Sequence, residues 1–394
     1  MDKRFDPSEF IRAKIQEIRD TVQENKVLLS CSGGVCSNVM VALLRKAVEK
    51  PNFVSLLIDT GFMREKEIEN VSETLSRAPL KLELRVFDAR KRFSKAMEHA
   101  ETAVEKRKAF NETFKATLKE LADEEEADLI AMGASATSSA ASQATEFASP
   151  AKPSRNSIGY FMPLISLNRV QIAQVAQALE LPPRLSDLIP FPSTGLSIRA
   201  LGRISDEKIR LAREANRIVE DELQYIKPTQ YLMAILDNKE EKKEKIDRIR
   251  EKISDLLDVG ADQVEIVIPQ CRVSALNDQN RVYLEAIAVR VTLLGSKELL
   301  EPDNDDLTNF AAEFMSKYKE FGRCLYSITR KPKGGKYVAI LRAITTDNYT
   351  VANIAKIDWS KLYSIAERIM DECGKISSVY YDVTPKPPAT IEFE

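Results

Sequence analysis

The chain has 394 residues, of which 44% are hydrophobic and 30% charged, a composition that predicts a globular protein of two or three domains. Its formal net charge of −2 gives no general attraction to nucleic acid or to a membrane, so neither is an expected partner. Five unevenly spaced cysteines argue against a disulfide scaffold, and a single histidine argues against a histidine-rich zinc site. Because the sequence shows neither an apolar run of membrane length nor a secretory signal pattern, we expect a cytoplasmic protein.

The first part of the chain alternates helix and strand patterns. Apolar spacing and short apolar runs predict helices over 7–24 and 93–121 and strands over 27–29, 53–58, 81–87 and 129–132. Such alternation predicts a doubly wound α/β domain with a parallel sheet. Ligands of these sheets bind beyond the carboxyl ends of the strands, where Asp59 and Asp88 follow two predicted strands.

The stretch Lys26–Arg45 runs from an apolar strand through small residues into a helix. Its glycines let backbone N–H groups approach an anion, and the helix N-terminus adds partial positive charge. The pattern predicts a phosphate cradle, with a purely structural turn as the alternative. The expected contact residues are Ser32, Gly33, Gly34, Val35 and Ser37.

The carboxyl-terminal part contains an internal repeat. The segment CLYSITRKP (324–332) repeats the pattern of VYYDVTPKP (379–387), and Arg290 and Arg342 precede the two copies in similar strand contexts. An amphipathic helix is predicted over 246–257, with Gly260 as its C-terminal stop. These features predict a duplicated αβ subdomain, with residues 238–336 as the inserted part.

The motifs together resemble one family. SGGVCS (32–37) resembles the SGGxDS signature of the PP-loop (N-type) ATP pyrophosphatases. Further segments, in the same order, resemble GMP synthetase: DTGFMREKE (59–67), KRK (106–108), FPSTGLSIRALGRIS (191–205), REANRIVEDEL (213–223) and YDVTPKPPATIEFE (381–394). The resemblance implies a PP-loop domain over 1–205, followed by an α+β dimerisation-type domain duplicated as 206–335 and 336–394, the latter carrying a nucleotide-binding tail.

The family reaction implied by this resemblance has two steps. ATP adenylates the C2 oxygen of XMP with release of pyrophosphate, and ammonia then displaces AMP to give GMP. The chain has no cysteine–histidine glutaminase constellation, so the resemblance implies a glutaminase subunit as partner, or free ammonia. We expect ATP as the cofactor, with Asp59 beside it.

Three departures from the family pattern concern the metal and the catalytic groups. Cys36 stands where the family has aspartate, and a thiol is a poor ligand for Mg²⁺. In GASATSSAAS (133–142) the family's aspartate and glutamate positions fall at Ser138 and Ala141, and the lid segment AKPSRNSIGY (151–160) lacks the paired histidines. We therefore expect no metal site, poor Mg²⁺ binding, no assigned catalytic residue and weak or lost amination.

The tail of the chain keeps more of the family pattern. The resemblance implies that Arg199, Lys386, Thr390, Ile391 and Glu392 bind a purine nucleotide of the XMP or GMP type; packing in a dimerisation domain is the alternative. Glu394 is also retained, while Ser193 and Thr194 replace a Gly-Pro pair. The chain is expected to be a monomer, or a homodimer through its carboxyl-terminal domain. The expected protein partner is a glutaminase subunit or a true GMP synthetase.

Two other functions stay open. An active XMP aminase would need substitute metal ligands, for which Glu146 is a candidate. A PP-loop sulfur transferase would use Cys31 or Cys36, because a helix N-terminus lowers the pKa of a nearby thiol. Against the sulfur chemistry stands a simple interpretation, in which Cys31 is a buried small residue and Cys36 a tolerated loss.

Overall fold

The computed structural model describes residues 5–48, 52–136, 158–186, 191–241, 246–278, 280–346 and 350–394. Its internal contacts divide the chain into two compact units, Met1–Ala96 with Lys108–Phe191, and Met97–Arg107 with Pro192–Glu394. The boundary thus follows Phe191, whereas the family resemblance implies a first domain that extends to residue 205. Met97–Arg107 belongs to the second unit, where the ammonium of Lys106 is fully buried against the carbonyl of Ala200.

The first unit is built on a parallel five-stranded sheet. Its strands are β1 (Val27–Ser30), β2 (Phe53–Asp59), β3 (Arg85–Asp88), β4 (Leu129–Met132) and β5 (Gly159–Phe161). The helices along this part of the chain are α1 (Pro7–Val22), α2 (Val35–Ala47), α3 (Glu67–Ser76), α4 (Arg90–Ala96), α5 (Ala103–Glu124), α6 (Arg169–Ala178) and α7 (Pro183–Ser186). The strand order is β3-β2-β1-β4-β5 and every pairing is parallel, which confirms the predicted α/β sheet.

Helix α2 lies at the centre of this unit's core. Its residues Ser37–Leu44 are all buried, so the helix is covered on every side. The apolar strands β1 and β4 are buried as well, as expected for inner strands of a sheet covered on both faces. The start of α2 is therefore held rigidly against the end of β1.

Two predicted elements differ from those observed. The strand predicted over 81–87 is limited to Arg85–Asp88, because pairing with β2 begins only at Arg85, opposite Leu56. Lys81 lies outside the strand in a left-handed conformation (φ 44°) that strand residues do not adopt. The helix predicted over 93–121 is divided into α4 and α5. Among the helices that the structure describes, none combines the length and the apolar character that crossing a membrane would require.

The second unit contains a mixed eight-stranded sheet. Its strands are β6 (Gln230–Asp237), β7 (Val264–Val267), β8 (Arg272–Asn277), β9 (Asn280–Val291), β10 (Phe321–Ser327), β11 (Tyr337–Thr345), β12 (Asn353–Ile354) and β13 (Ile376–Asp382). Its main helices are α8 (Asp206–Leu223), α9 (Ile246–Leu257), α10 (Asn304–Lys317) and α11 (Trp359–Glu372). The order is β12-β11-β13-β10-β9-β7, with β6 also paired to β11 and β8 to β9. Strands from both sides of residue 335 thus share one sheet.

An approximate internal two-fold relates two halves of this sheet. The pair β9 and β10 is parallel with α10 between them in the chain, and the pair β11 and β13 is parallel with α11 between them. The two halves meet at the antiparallel pair β10–β13, where Tyr326 lies opposite Tyr381. These two tyrosines occupy equivalent positions in the sequence repeat, so the repeat corresponds to a structural duplication.

Reciprocal hydrogen bonds follow the same symmetry. The backbone N–H of Ile328 donates to the carbonyl of Val379, and that of Val383 donates to the carbonyl of Cys324, both at 3.0 Å. Each bond is the counterpart of the other under the sequence repeat. The duplicated halves therefore pair as two copies of one strand.

The helix predicted over 246–257 is observed with those bounds as α9, but its stop signal is another residue. Asp258 adopts the left-handed conformation (φ 52°) that ends the helix, while Gly260 has φ −71° and begins a short 3₁₀ turn. The prediction that Gly260 closes α9 is wrong, because Asp258 already terminates it. Aspartate tolerates left-handed φ better than most side chains.

Candidate functional site

The cradle between β1 and α2 has an open helix N-terminus. Gly34 is the N-cap of α2 and makes no side-chain capping bond, and the first turn carries no acidic residue. The Ser32 hydroxyl accepts from the Gly34 N–H at 3.4 Å, and the Ser37 hydroxyl accepts from the Ser32 N–H at 3.1 Å. Because Ser32 and Gly34 are exposed, an anion can reach this helix N-terminus.

Glycine is required at two places around the cradle. Gly33 has φ +76°, and a Cβ there would lie 2.3 Å from a methyl of Val71. A Cβ on Gly133, just beyond β4, would lie 2.6 Å from the carbonyl oxygen of Cys36 and from the backbone of Ser37. The strand order reverses between β1 and β4, and ligands of such sheets usually bind at this point. Gly133 lets the chain after β4 pack tightly against the start of α2.

The two cysteines of the cradle are protonated thiols. Burial raises the pKa of Cys31 to about 12. Burial also raises the pKa of Cys36, although the Ser135 side chain and the Arg169 charge act in the lowering direction. The expectation that these pKa values are lowered is wrong, because burial removes hydration from both thiols and raises their pKa values. This finding removes the main physical support for sulfur chemistry at Cys31 and Cys36.

The carboxylates at the edge of this sheet are engaged by one arginine. Asp59 and Asp88 end β2 and β3 side by side. The Arg90 guanidinium donates twice to Asp88, at 2.9 and 2.6 Å, and lies 3.6 Å from Asp59, whose other oxygen accepts from the Gly61 N–H at 2.9 Å. Hydrogen bonding to Arg90 lowers the pKa of Asp88 to about 2.

This donor set does not fit Mg²⁺. The ion needs several hard oxygen ligands, whereas Cys36 offers a neutral thiol and the Asp59 and Asp88 carboxylates are paired with a guanidinium. Within the described ranges, no three histidine, cysteine, aspartate or glutamate side chains gather in a way that could hold a metal ion. The predictions about Ser138, Ala141, Glu146 and the lid up to residue 157 fall outside those ranges.

In the second unit, Arg199 and Glu392 are brought together. The Arg199 guanidinium donates to both carboxylate oxygens of Glu392, at 3.3 and 3.0 Å, and to the Asn216 side chain at 2.8 Å. Arg199 is almost fully buried, whereas Glu392 keeps part of its carboxylate accessible. The arginine therefore holds Glu392 in a defined orientation.

Thr390 is fixed by the core of the sheet. Its hydroxyl lies 2.6 Å from that of Ser274 on β8 and accepts from the Arg323 guanidinium on β10 at 2.8 Å. Ile391, the next residue, is half-buried. The tail is thus anchored by residues of the inserted part, 238–336.

Glu394 anchors the tail on the other side. Its carboxylate forms a buried ion pair with Lys106 and accepts from the Gly202 N–H at 3.0 Å, while Arg107 donates to its backbone carbonyl. Burial raises the pKa of Glu394 and lowers that of Lys106. Mutual attraction compensates part of the cost of burying the two charges. This buried ion pair therefore fixes the end of the tail to Lys106.

Lys386 feels the charges of three arginines. Its side chain is half-buried, and its pKa is lowered by burial and by the charges of Arg342, Arg281 and Arg323. Arg323 and Arg342 are fully buried and both donate to Asp382. Neither arginine was predicted as a site residue, although an arginine inside an apolar strand pattern is a usable signal.

Comparisons with known proteins follow this division of the chain. The model of the phosphoadenosine phosphosulfate reductase domain matches residues 26–184, and that of the GMP synthase C terminal domain matches residues 334–393. Among solved structures, the NMN synthetase from Francisella tularensis is 15% identical, with a TM-score of 0.38, covering 52% of this chain and 84% of that chain.

Curated relatives match over the whole length. A subunit of the glutamine-hydrolyzing GMP synthase of Methanopyrus kandleri is 26% identical over 400 residues, covering 99% of this chain and 100% of the relative. The protein of the same name from Saccharolobus solfataricus is 28% identical over 403 residues, with the same coverage. The chain therefore carries a PP-loop domain followed by a GMP synthase C-terminal domain, and it is homologous along its entire length to proteins named as subunits of GMP synthase.

Proposed function

We propose that this chain binds a purine nucleoside 5′-monophosphate of the XMP or GMP type at its tail. We also propose that it binds a glutaminase subunit and that its amination of XMP is weak or lost. The relatives named as subunits of glutamine-hydrolyzing GMP synthase support the nucleotide class and the partner. The observation that carries the proposal is a contrast within the chain. The tail residues are tightly organised around Glu392, whereas the cradle has no suitable ligand set for Mg²⁺.

The tail offers complementary groups for such a nucleotide. Lys386 is a cation that suits the 5′-phosphate. The Glu392 carboxylate, oriented by Arg199 at 3.0 Å, can accept from the N–H groups on the N1 side of a xanthine or guanine base. Adenine has an acceptor at N1, so the same carboxylate disfavours AMP. Thr390 and Ile391 lie between these two groups in the chain and are proposed to line the ribose.

The cradle is proposed to bind the phosphates of ATP. Its open helix N-terminus and the exposed Ser32 and Gly34 suit an anion. In the family reaction the XMP C2 oxygen attacks the α-phosphorus of ATP, the bond to pyrophosphate breaks, and ammonia later displaces AMP. Magnesium would offset the charge that develops on pyrophosphate. Because Cys36 is a protonated thiol and Arg90 occupies the nearby carboxylates, we propose that this step is slow.

Ammonia must reach the chain from elsewhere. A glutaminase uses a cysteine activated by a histidine, and this sequence has a single histidine, His99, which is exposed. A separate glutaminase subunit is therefore the proposed partner.

Calorimetric titration tests the binding part of this proposal. We expect XMP and GMP to bind and AMP to bind at least about tenfold more weakly, since one mispaired polar edge costs roughly 1–3 kcal/mol. The variant Glu392→Gln should remove most of this preference, and Glu298→Gln, an exposed glutamate of the same unit, is the control. Equal affinities for GMP and AMP in the unmodified protein would refute the purine assignment.

A coupled assay tests the catalytic part. XMP, ATP, Mg²⁺ and ammonium are supplied together, and GMP formation and pyrophosphate release are both followed. We expect slow or undetectable GMP formation although XMP binds. Robust GMP formation would overturn the proposed loss of catalysis and favour an active XMP aminase with substitute ligands, for which Glu146→Gln is the first variant to examine.

A further inference from the structure

Two buried ammonium groups hold one short stretch of backbone in the second unit. Lys106 Nζ donates to the carbonyl of Ala200 at 2.8 Å, and Lys208 Nζ donates to the carbonyls of Leu201 and Arg203, both at 2.9 Å. The two lysines are 0% and 1% exposed. A buried ammonium must give its N–H donors to acceptors, and carbonyls of this one stretch are among the acceptors of both lysines. The lysines therefore fix the path of the backbone here.

Each ammonium is also paired with one carboxylate. Glu394 forms a buried ion pair with Lys106, and Asp237 accepts from Lys208 at 3.2 Å. The other oxygen of Glu394 accepts from the N–H of Gly202 at 3.0 Å. Because one carboxylate contacts both Lys106 and the backbone stretch that Lys106 binds, the end of the tail and this stretch are fixed to each other.

This arrangement lies next to both partners of the contact between Arg199 and Glu392. The carbonyl of Arg199 accepts from the N–H of Ile235 on β6 at 2.8 Å, and the next carbonyl along the chain is the one that Lys106 binds. Glu392 lies two positions before the carboxylate that pairs with Lys106. The guanidinium of Arg199 and the carboxylate of Glu392 meet at 3.0 Å, so a displacement of either backbone changes where that carboxylate lies.

Packing alone does not account for two lysines at these positions. Replacing a buried ion pair by apolar side chains of similar volume is often neutral or stabilising, so a stable core does not need Lys106 and Lys208. Apolar side chains cannot provide direction, because only hydrogen bonds tie a particular carbonyl to a particular carboxylate. A recognition carboxylate such as Glu392 needs directed bonds around it, since its own hydrogen bonds weaken steeply when they are misaligned.

We propose that Lys106 and Lys208 are positioning residues, which set the place of the Glu392 carboxylate and thereby its preference among purine bases. Neither lysine is assigned a contact with the nucleotide. Lys106 belongs to Met97–Arg107, which is part of the second unit although it lies between elements of the first unit in the sequence. The inference rests on the proposed nucleotide binding, and it extends the residues that determine specificity beyond the tail.

Calorimetric titration of GMP and AMP with the variant Lys106→Met tests the inference. We expect GMP to bind roughly tenfold more weakly, which is the effect of one misplaced charge-assisted contact. AMP should change by less than about twofold, because the proposed contact with Glu392 is not open to it. General damage to the fold would weaken the binding of both nucleotides equally.

Two further variants frame this result. Lys361→Met is the control, since Lys361 pairs with Glu222 of the same unit at 2.8 Å, and it should leave both affinities unchanged. Lys208→Met removes the other ammonium and should weaken the binding of GMP selectively, as Lys106→Met does.

A double variant covers the case in which Lys106→Met does not fold, because that variant leaves the Glu394 carboxylate buried without its partner. Lys106→Met combined with Glu394→Gln removes both charges, and the same selective loss of GMP binding is expected. Hydrogen–deuterium exchange of the proteins without nucleotide gives a readout that does not depend on the ligand. Peptides that cover 199–203 and 388–394 should exchange faster in the Lys106 variants and at the original rate in Lys361→Met.

Two results would overturn the inference: GMP and AMP affinities that fall together, or affinities that stay the same in both Lys106 variants. A failure of the proposed function is distinguishable from these results, because the unmodified protein would then bind GMP and AMP equally. In that case the exchange rates decide whether Lys106 positions Glu392. Faster exchange of the tail in the Lys106 variants alone supports the positioning, and exchange equal to that of Lys361→Met overturns it.

Discussion

Arg323 and Arg342 donate to the same oxygen of Asp382, at 2.7 and 2.9 Å, although the two arginines lie on different strands of the duplicated sheet. All three side chains are fully buried. Burial lowers the pKa of Arg323 to about 10, with Asp382 acting in the opposite direction. A single carboxylate therefore holds two buried cations in place.

Replacing Asp382 by asparagine should strongly destabilise the second unit. The variant leaves two buried guanidiniums without a counter-charge, and breaking a buried ion pair in this way costs about 3–5 kcal/mol. Urea unfolding followed by circular dichroism measures the change in the free energy of unfolding.

Ser327→Ala is the matched control for Asp382→Asn, since Ser327 is the counterpart of Asp382 in the repeat. Its hydroxyl accepts a long bond of 3.4 Å from the Thr329 N–H, so a loss of about 1 kcal/mol or less is expected. If Asp382→Asn is no more destabilising than Ser327→Ala, the two arginines do not depend on this carboxylate.

Gly33→Ala should destabilise the first unit far more than Gly34→Ala. Gly33 has a left-handed φ, and a Cβ there would meet a Val71 methyl at 2.3 Å, so backbone strain and overpacking together should cost at least about 2 kcal/mol. At Gly34 the nearest atom would be the Ser32 hydroxyl at 3.6 Å, and loss of the glycine N-cap should cost about 1 kcal/mol or less. Thermal unfolding of both variants makes the comparison, and equal melting temperatures would contradict the described geometry of the cradle.

The five cysteines should react slowly with iodoacetamide in the native protein. Burial raises their pKa values, to about 12 for Cys31, Cys271 and Cys373, and the thiolate is the reactive form. Site-resolved mass spectrometry after brief alkylation at pH 7.5 measures the rates, with the urea-unfolded protein as the control. Fast native labelling of Cys36 alone would revive the sulfur-transfer hypothesis.

The raised pKa of Cys31 predicts how the free energy of unfolding changes with pH. Above the unfolded value of about 9, the unfolded chain loses thiol protons that the native Cys31 retains up to about 12. The stabilising contribution is complete below pH 9 and decreases as the pH rises toward 12, so the free energy of unfolding should fall across this interval. Replacing Cys31 by alanine should flatten that part of the pH profile.

The parallel sheet and helix α9 could be predicted from the sequence because local apolar spacing reports burial directly. The repeat at 324–332 and 379–387 likewise revealed the duplication before any strand was paired. By contrast, the cluster of Arg323 and Asp382 joins residues 59 positions apart. No local pattern specifies which acidic residue an inner-strand arginine will meet.

The tail was only partly predictable. Its family-like residues were identified from the sequence. The buried ion pair between Lys106 and Glu394 was not, because it joins residues 288 positions apart. The cysteine pKa values were predicted in the wrong direction, because a helix N-terminus can be recognised from sequence while the loss of hydration around Cys31 and Cys36 cannot. Burial of polar groups is a property of the packed chain.

Cys36→Asp should make ATP binding depend on Mg²⁺. A carboxylate at this position adds a hard, charged oxygen at the open start of α2, and Arg169 lies near enough to stabilise its negative form. Calorimetric titration measures the affinity for ATP with and without Mg²⁺. In this variant the two affinities should differ by about tenfold or more, because one charge-assisted contact is added. In the unmodified chain the difference should be far smaller. Cys36→Asn is the control, because it has nearly the same shape without the charge. Equal Mg²⁺ dependence in the two variants would show that Cys36 is not what limits metal binding, since a full charge at the cradle would then have no effect on the ion.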